Sequence, residues 1–182
     1  EGAVGFSGDD GRTSIFDYAV MPRHQKLMSD GKFDGSDFSD EQRKLYELYK
    51  KLLNFRLTND AINKGAFYDL MWVNPWYSNF DPQYVYAFLR YHNEERLLIV
   101  VNFNLNESRY CEVKIPQDAL EYMRLQVNES TSQQVNKSES KSELNYATDV
   151  MTGDKIEYNL NEISSRGIAM SVDAAGFRII KL

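Results

Sequence analysis

Cysteine, histidine, proline and surplus positive charge are all scarce in this 182-residue chain, and most of these shortages close off a class of function. The single Cys111 excludes a disulfide within the chain and a cysteine-based metal site. Its expected state is a small, reduced, buried side chain on a strand. The two histidines, His24 and His92, stand far apart without cysteine company, so neither a metal site nor a histidine base is expected. Lys and Arg number 21 against 27 Asp and Glu, a net charge of −6. That balance argues against a nucleic-acid partner, because duplex binding rests on neutralising phosphates. No apolar run approaches the roughly 20 residues that a membrane helix needs, and no membrane partner is expected. No cofactor is expected either. The chain opens on Glu1-Gly2-Ala3, with neither methionine nor signal peptide; it reads as trimmed, and its start decides nothing about compartment.

What is present is a core. Hydrophobic residues make up 42% of the chain and aromatics 13%, which supports packed structure over wholesale disorder. Its centre is the stretch from Tyr84 to Phe103, two apolar runs around the polar knot His92-Asn93-Glu94-Glu95. Both runs are short and rich in β-branched and aromatic residues, so they read as the strands of a hairpin, with Asn93 suited to a left-handed turn. Tyr84, Tyr86, Phe88 and Arg90 share one face; Val85, Ala87, Leu89 and Tyr91 share the other. Leu97 to Val101 is apolar on both faces, as in a central strand.

Before the hairpin, residues 1 to 40 are rich in Gly, Asp and Ser and hold no period for more than a few residues. A helix is expected over residues 40–57, with Ser39 and Gln42 as a capping box and Leu45, Leu48, Tyr49, Leu52 and Phe55 as one apolar stripe. A short turn from Asn59 ends at Gly65, read as a left-handed stop. Strands are expected over Phe67 to Val73 and Arg109 to Ile115, and a short helix over Gln117 to Arg124. Tyr146 to Met151 pairs with Lys155 to Leu160 around Thr152-Gly153-Asp154, and Gly167 to Val172 and Phe177 to Leu182 end the chain. The polar tract from Val127 to Leu144 is either a linker or an exposed loop or pair of edge strands. Seven or eight short strands at this spacing point to a mainly β fold, an antiparallel sandwich.

The order of these pieces resembles a known family. A loop reading Gly5-Phe6-Ser7-Gly8-Asp9-Asp10-Gly11-Arg12 leads into the helix Leu45 to Arg56. Then come Asn59-Asp60-Ala61-Ile62, the two hairpin strands, Asp149-Val150-Met151-Thr152-Gly153 and Gly176-Phe177-Arg178-Ile179-Ile180-Lys181-Leu182. Together they look like the C-terminal part of an alpha-amylase family glycoside hydrolase. The resemblance implies that residues 1–65 are the last βα unit of a (β/α)8 barrel, loop plus helix, and that 66–182 form the Greek-key β-sandwich called domain C. Gly2-Ala3-Val4-Gly5 departs from the family's usual Gly-x-Glu-x-Gly: it is one residue short and lacks the acid.

It also implies that the family's catalytic Asp, Glu and second Asp would come from barrel strands earlier than this chain begins. Retaining hydrolysis needs two carboxyl groups about 5 Å apart on a rigid scaffold, and none of the motifs carrying them is present. No catalytic residue is therefore assigned to this chain. Its partners would be the missing catalytic barrel, the parent's α-glucan, and a second copy docked on the helix stripe. A polysaccharide-degrading parent is compatible with an extracytoplasmic location. The competing reading is a free-standing carbohydrate-binding β-sandwich.

Three groups of residues are candidates for a site. Asp9, Asp10 and Arg12 follow a barrel strand, on the face that carries active sites in such barrels, and either border the sugar cleft or tie down their own loop. Trp72, Trp76, Tyr77, Phe80 and Tyr84 form an aromatic group that either fills core or a domain junction, or stacks on glucose units, with Trp76 and Tyr77 foremost. Asp30 to Glu41 imitates a calcium loop, but Lys32 occupies a ligand position and no amphipathic helix precedes it. A solvated acidic loop leading into a helix cap is the expected structure there.

Overall fold

The computed structural model describes residues 22–124 and 144–182. The chain divides into two compact units, Glu1–Thr58 and Asn59–Leu182. In the first, Pro22 opens a helix, α1 (Pro22–Met28), at a position where proline's missing N–H costs nothing. Its seven residues are two turns, too few to leave a period in the aperiodic stretch where it lies. A 3-10 turn, Ser29–Gly31, follows with Asp30 in the left-handed region (φ 54°). The Ser29 hydroxyl donates to Asp37 Oδ2 (2.8 Å) and shares a hydrogen bond with Ser36 (2.9 Å), so the acidic loop is tied to itself.

Helix α2 (Asp40–Thr58) begins with the reciprocal capping box. The Ser39 N–H donates to Gln42 Oε1 (3.0 Å), and the Gln42 N–H donates to Ser39 Oγ (3.3 Å). No residue of α2 is buried, and Leu45, Leu48 and Tyr49 of its apolar stripe are exposed.

The second unit starts with α3 (Asp60–Asn63), capped by Asn59 Oδ1 accepting from the Ile62 N–H (3.0 Å). Gly65 does not adopt the left-handed conformation expected of it. Its glycine is required by crowding: a Cβ there would lie 2.2 Å from the Ala61 carbonyl oxygen and 2.7 Å from that of Tyr91.

The remaining elements are β1 (Ala66–Asp69), β2 (Val85–His92), β3 (Glu95–Asn102), β4 (Arg109–Val113) and α4 (Gln117–Tyr122). They are followed by β5 (Leu144–Asp149), β6 (Lys155–Asn159), β7 (Ile168–Val172) and β8 (Phe177–Lys181). Strand β1 stops short of the expected Val73 because Asp69 Oδ1 accepts the Met71 N–H (2.9 Å), a local turn that competes with the ladder.

Six strands form one antiparallel sheet in the order β1-β2-β3-β8-β5-β6, and β4 pairs with β7 in a second. The β2–β3 hairpin closes at the pair His92↔Glu95 with Asn93 left-handed (φ 52°). Strand β3 lies inside the sheet and buries Leu97, Leu98, Ile99 and Val100. The chain crosses to the second sheet for β4, returns for β5 and β6, crosses again for β7, and ends in β8 between β3 and β5. Val85, Ala87, Leu89, Leu98, Val100 and Ile180 of the first sheet share one core with Cys111, Val113, Ile168, Met170 and Val172 of the second. Each fully buried aliphatic side chain stabilises the fold by roughly 1.5–3 kcal/mol. The fold is a mainly β, antiparallel sandwich.

Burial pushes the Cys111 thiol up to about 12 from its ordinary 9.0. A thiol raised in the folded state leaves stability whole below the unfolded value and removes it as pH climbs toward the folded one. Between about pH 8 and about pH 10.5 the cost is expected to reach about 2 kcal/mol. Urea unfolding of the native chain and of Cys111→Ala at both pH values measures it: the variant should lack this part of the alkaline loss.

Candidate functional site

The loop joining β1 to β2 is held at both ends by buried side chains, Leu70 and Phe80. Between them the buried Asn74 fastens the loop to the end of β4. Its Nδ2 donates to the carbonyls of Leu70 (3.2 Å) and Lys114 (2.9 Å), and its Oδ1 accepts the Lys114 N–H (2.8 Å). Pro75 sits in one turn of 3-10 helix, Asn74–Trp76, and the Tyr77 N–H closes that turn on the Asn74 carbonyl (3.0 Å). With its backbone pinned, the loop turns three aromatic side chains outward: Trp72 (54% exposed), Trp76 (84%) and Tyr77 (37%).

Each of the three has a defined neighbour. The Trp76 indole N–H donates to the Trp72 carbonyl (3.2 Å). The Lys114 ammonium lies 3.3 Å from the centre of the Tyr77 ring, a cation–π contact. The Trp72 ring is 6.5 Å from that of Tyr68, which is in turn 5.7 Å from Tyr122. The Tyr68 hydroxyl donates to Asp118 Oδ2 on α4. Partial burial and that carboxylate together push the Tyr68 phenol up to about 12, so it stays a neutral donor through the physiological range. On β4, the Glu112 carboxyl is held below the ordinary range by a hydrogen bond from the Asn79 side chain and another from Tyr110.

The structure therefore splits the aromatic group read from the sequence. Phe80 belongs to the core, and Tyr84 is half-buried with the Arg109 guanidinium 5.1 Å from its ring centre. Trp76 and Tyr77 are exposed, and Trp72 joins them. Asp9, Asp10 and Arg12 lie outside the described residues, as does the polar tract before Leu144. His24 falls on α1, and His92 closes the central hairpin. Among the described residues no group of three or more His, Cys, Asp or Glu can hold a metal ion, and no helix is long and apolar enough to cross a membrane. Asn74, Lys114, Tyr68 and Asp118 were not singled out by sequence reasoning. Only Asn74 carried a local signal, as a polar residue before proline inside an aromatic run.

No protein-family model matches the sequence, and no curated protein matches it. Solved structures do match the fold. AmyP in complex with maltose aligns over 82% of this chain and 23% of its own, with TM-score 0.53 and 13% identity. A variant of AmyP in complex with maltotriose gives TM-score 0.53 and 12% identity over the same shares, 82% and 23%. The alpha-amylase GTA from Geobacillus thermoleovorans, complexed with acarbose, gives 0.49 and 12% over 81% of this chain and 26% of its own. The likeness is one of fold. This chain spans about a quarter of the length of the proteins it matches.

Proposed function

We propose that this chain is the non-catalytic C-terminal portion of an alpha-amylase-like glycoside hydrolase acting on α-glucans, with its β-sandwich stabilising the catalytic barrel. One observation carries the reading: the fold matches 82% of this chain but only 23% of AmyP, a protein seen bound to maltose. The order of sequence pieces that resembles the end of the alpha-amylase family supports it independently. In this reading residues 1–65 supply the last loop and helix of the barrel, and the exposed stripe on α2 is the surface that the rest of the barrel covers. In the isolated chain that stripe is expected to stay open or to be covered by a second copy, and sedimentation of the purified chain tells which.

The chain alone is not a glycosidase in this reading, because the two carboxyl groups that retaining hydrolysis needs belong to earlier barrel strands. The coding sequence upstream of Glu1 is the test. It is expected to encode barrel strands ending in the Asp and Glu of the family, and the 182-residue chain is expected to release no reducing sugar from starch. A reading frame that starts at this point, or starch cleavage by the chain itself, overturns the proposal. The exposed Trp76 favours a second reading, a carbohydrate-binding module that works alone, and that same reading frame would support it.

A further inference from the structure

We infer that Trp72 and Trp76 form an accessory, non-catalytic platform that binds a segment of α-linked glucan, with Asn74 as its positioning residue. For the identity of the sugar this rests on the function proposed above; the platform itself rests on the loop. Trp76 is the most exposed large apolar side chain among the described residues, at 84%. Within this chain the exposed indole forgoes the burial that makes aromatic residues valuable to a fold, so its position is not explained by the stability of the sandwich itself. Nor is it a loose side chain. Its N–H is anchored on the Trp72 carbonyl, the turn beneath it is closed by Tyr77, and Asn74 fixes that turn to β4.

The geometry restricts what can be bound. Trp76 has one polar hydrogen and it is used internally, so what the ring offers outward is its apolar face. The apolar face of a pyranose stacks on such a surface, while its hydroxyls ask for donors and acceptors at the rim. Polar groups are carried by the same loop and by its neighbours: exposed Ser78 and Asn79, the Lys114 ammonium on the Tyr77 ring, and the Asp118 carboxylate bonded to Tyr68, whose ring lies 6.5 Å from that of Trp72. Two exposed indoles in a loop that also carries polar groups suit a small amphiphilic ring. They are a narrow apolar surface for a protein partner, whose interfaces have a wider dry centre. Because the loop is already ordered, little freedom is lost on binding.

The chain's composition makes the test direct, since these are its only two tryptophans and its indole fluorescence reads nothing else. Titration of the full chain with maltoheptaose is expected to give a saturable change in tryptophan emission, with cellohexaose, a β-linked glucan one unit shorter, giving none. Trp76→Ala is expected to weaken maltoheptaose binding, followed by calorimetry, by about tenfold or more. Its urea midpoint should be unchanged, because the side chain is exposed. Trp76→Phe should recover part of the affinity, and Asn74→Ala should weaken binding while both tryptophans remain. If Asn74→Ala does not fold, Trp72→Ala with its expected loss of affinity takes its place.

Absence of a saturable response to maltoheptaose, or native affinity in Trp76→Ala, overturns the platform. Saturable binding of cellohexaose in its place overturns the α-glucan assignment. These failures are distinct from failure of the parent reading. A chain that ignores maltoheptaose although its reading frame encodes a barrel loses the platform alone. A chain that binds it with no barrel upstream loses the parent alone.

Discussion

Replacing Asn102 by alanine is expected to lower the stability of the β-sandwich by about 4 kcal/mol, the sum of several buried polar groups left without partners. Asn102 ends β3 and is almost completely buried. Its Nδ2 donates its two hydrogens, one of them shared, among the carbonyls of Glu107 (2.9 Å), Val172 (3.1 Å) and Asp173 (3.0 Å). Its Oδ1 accepts the Asn104 N–H (2.9 Å). One side chain thus ties the six-stranded sheet to the end of β7 and to the loop ahead of β4. Alanine removes all four bonds and leaves the Val172 carbonyl and the Asn104 N–H in a site closed to water. Asn102→Asp is expected to do no better at neutral pH, because a carboxylate would face three carbonyl oxygens. Urea unfolding with an unchanged slope measures the loss. A cost under about 1 kcal/mol for either variant would mean that water or a backbone shift replaces the lost partners.

That residue also illustrates where local pattern stops informing. The hairpin from β2 to β3 was legible because its determinants are local. Alternating burial, a polar knot of four residues and an asparagine that tolerates positive φ set strand, turn and register together. Helix α2 was legible for the same reason, through its capping box and three-to-four spacing. Asn102 stands at the end of an apolar run and looks like turn punctuation, yet its role is set by Val172 and Asp173, about seventy residues on. Gly65 was misread for a related cause. Helix-stop chemistry suggested a left-handed glycine, whereas the Tyr91 carbonyl on a neighbouring strand leaves no room for a Cβ.

The candidate site divides along the same line. A run of aromatics between Trp72 and Tyr84 announced itself, but nothing in the run says that Phe80 turns inward and Trp76 outward. That choice depends on Asn74 gripping Lys114 forty residues away, which no window of neighbouring residues contains.

The second large effect is expected at Asp149, where alanine should cost about 3 kcal/mol. Asp149 is fully buried at the end of β5, and both carboxylate oxygens are occupied. Oδ1 accepts the Met151 N–H (2.8 Å) and the Thr152 N–H (3.4 Å), which shapes the turn into β6. Oδ2 accepts from Arg178 Nη1 (2.9 Å), while Arg178 Nε donates across to the Ser171 carbonyl on β7 (3.2 Å). The hydrogen bond that Arg178 donates to Asp149 is the main reason that its guanidinium is held above its usual range. Losing Asp149 therefore disturbs a turn, an ion pair and a tie between the sheets at once. The loss is kept from the upper end for buried pairs because Arg178 remains partly exposed and Asp154 lies 3.6 Å from it as a second carboxylate. Asp149→Asn separates the parts, since its amide oxygen can still accept the turn N–H groups while the charge is gone. It should cost less than Asp149→Ala, and combining each with Arg178→Met should show coupling of about 1 kcal/mol or more for the charged pair. Equal costs for Asn and Ala, with no coupling to Arg178, would place the whole effect in the turn and remove the ion pair from the account.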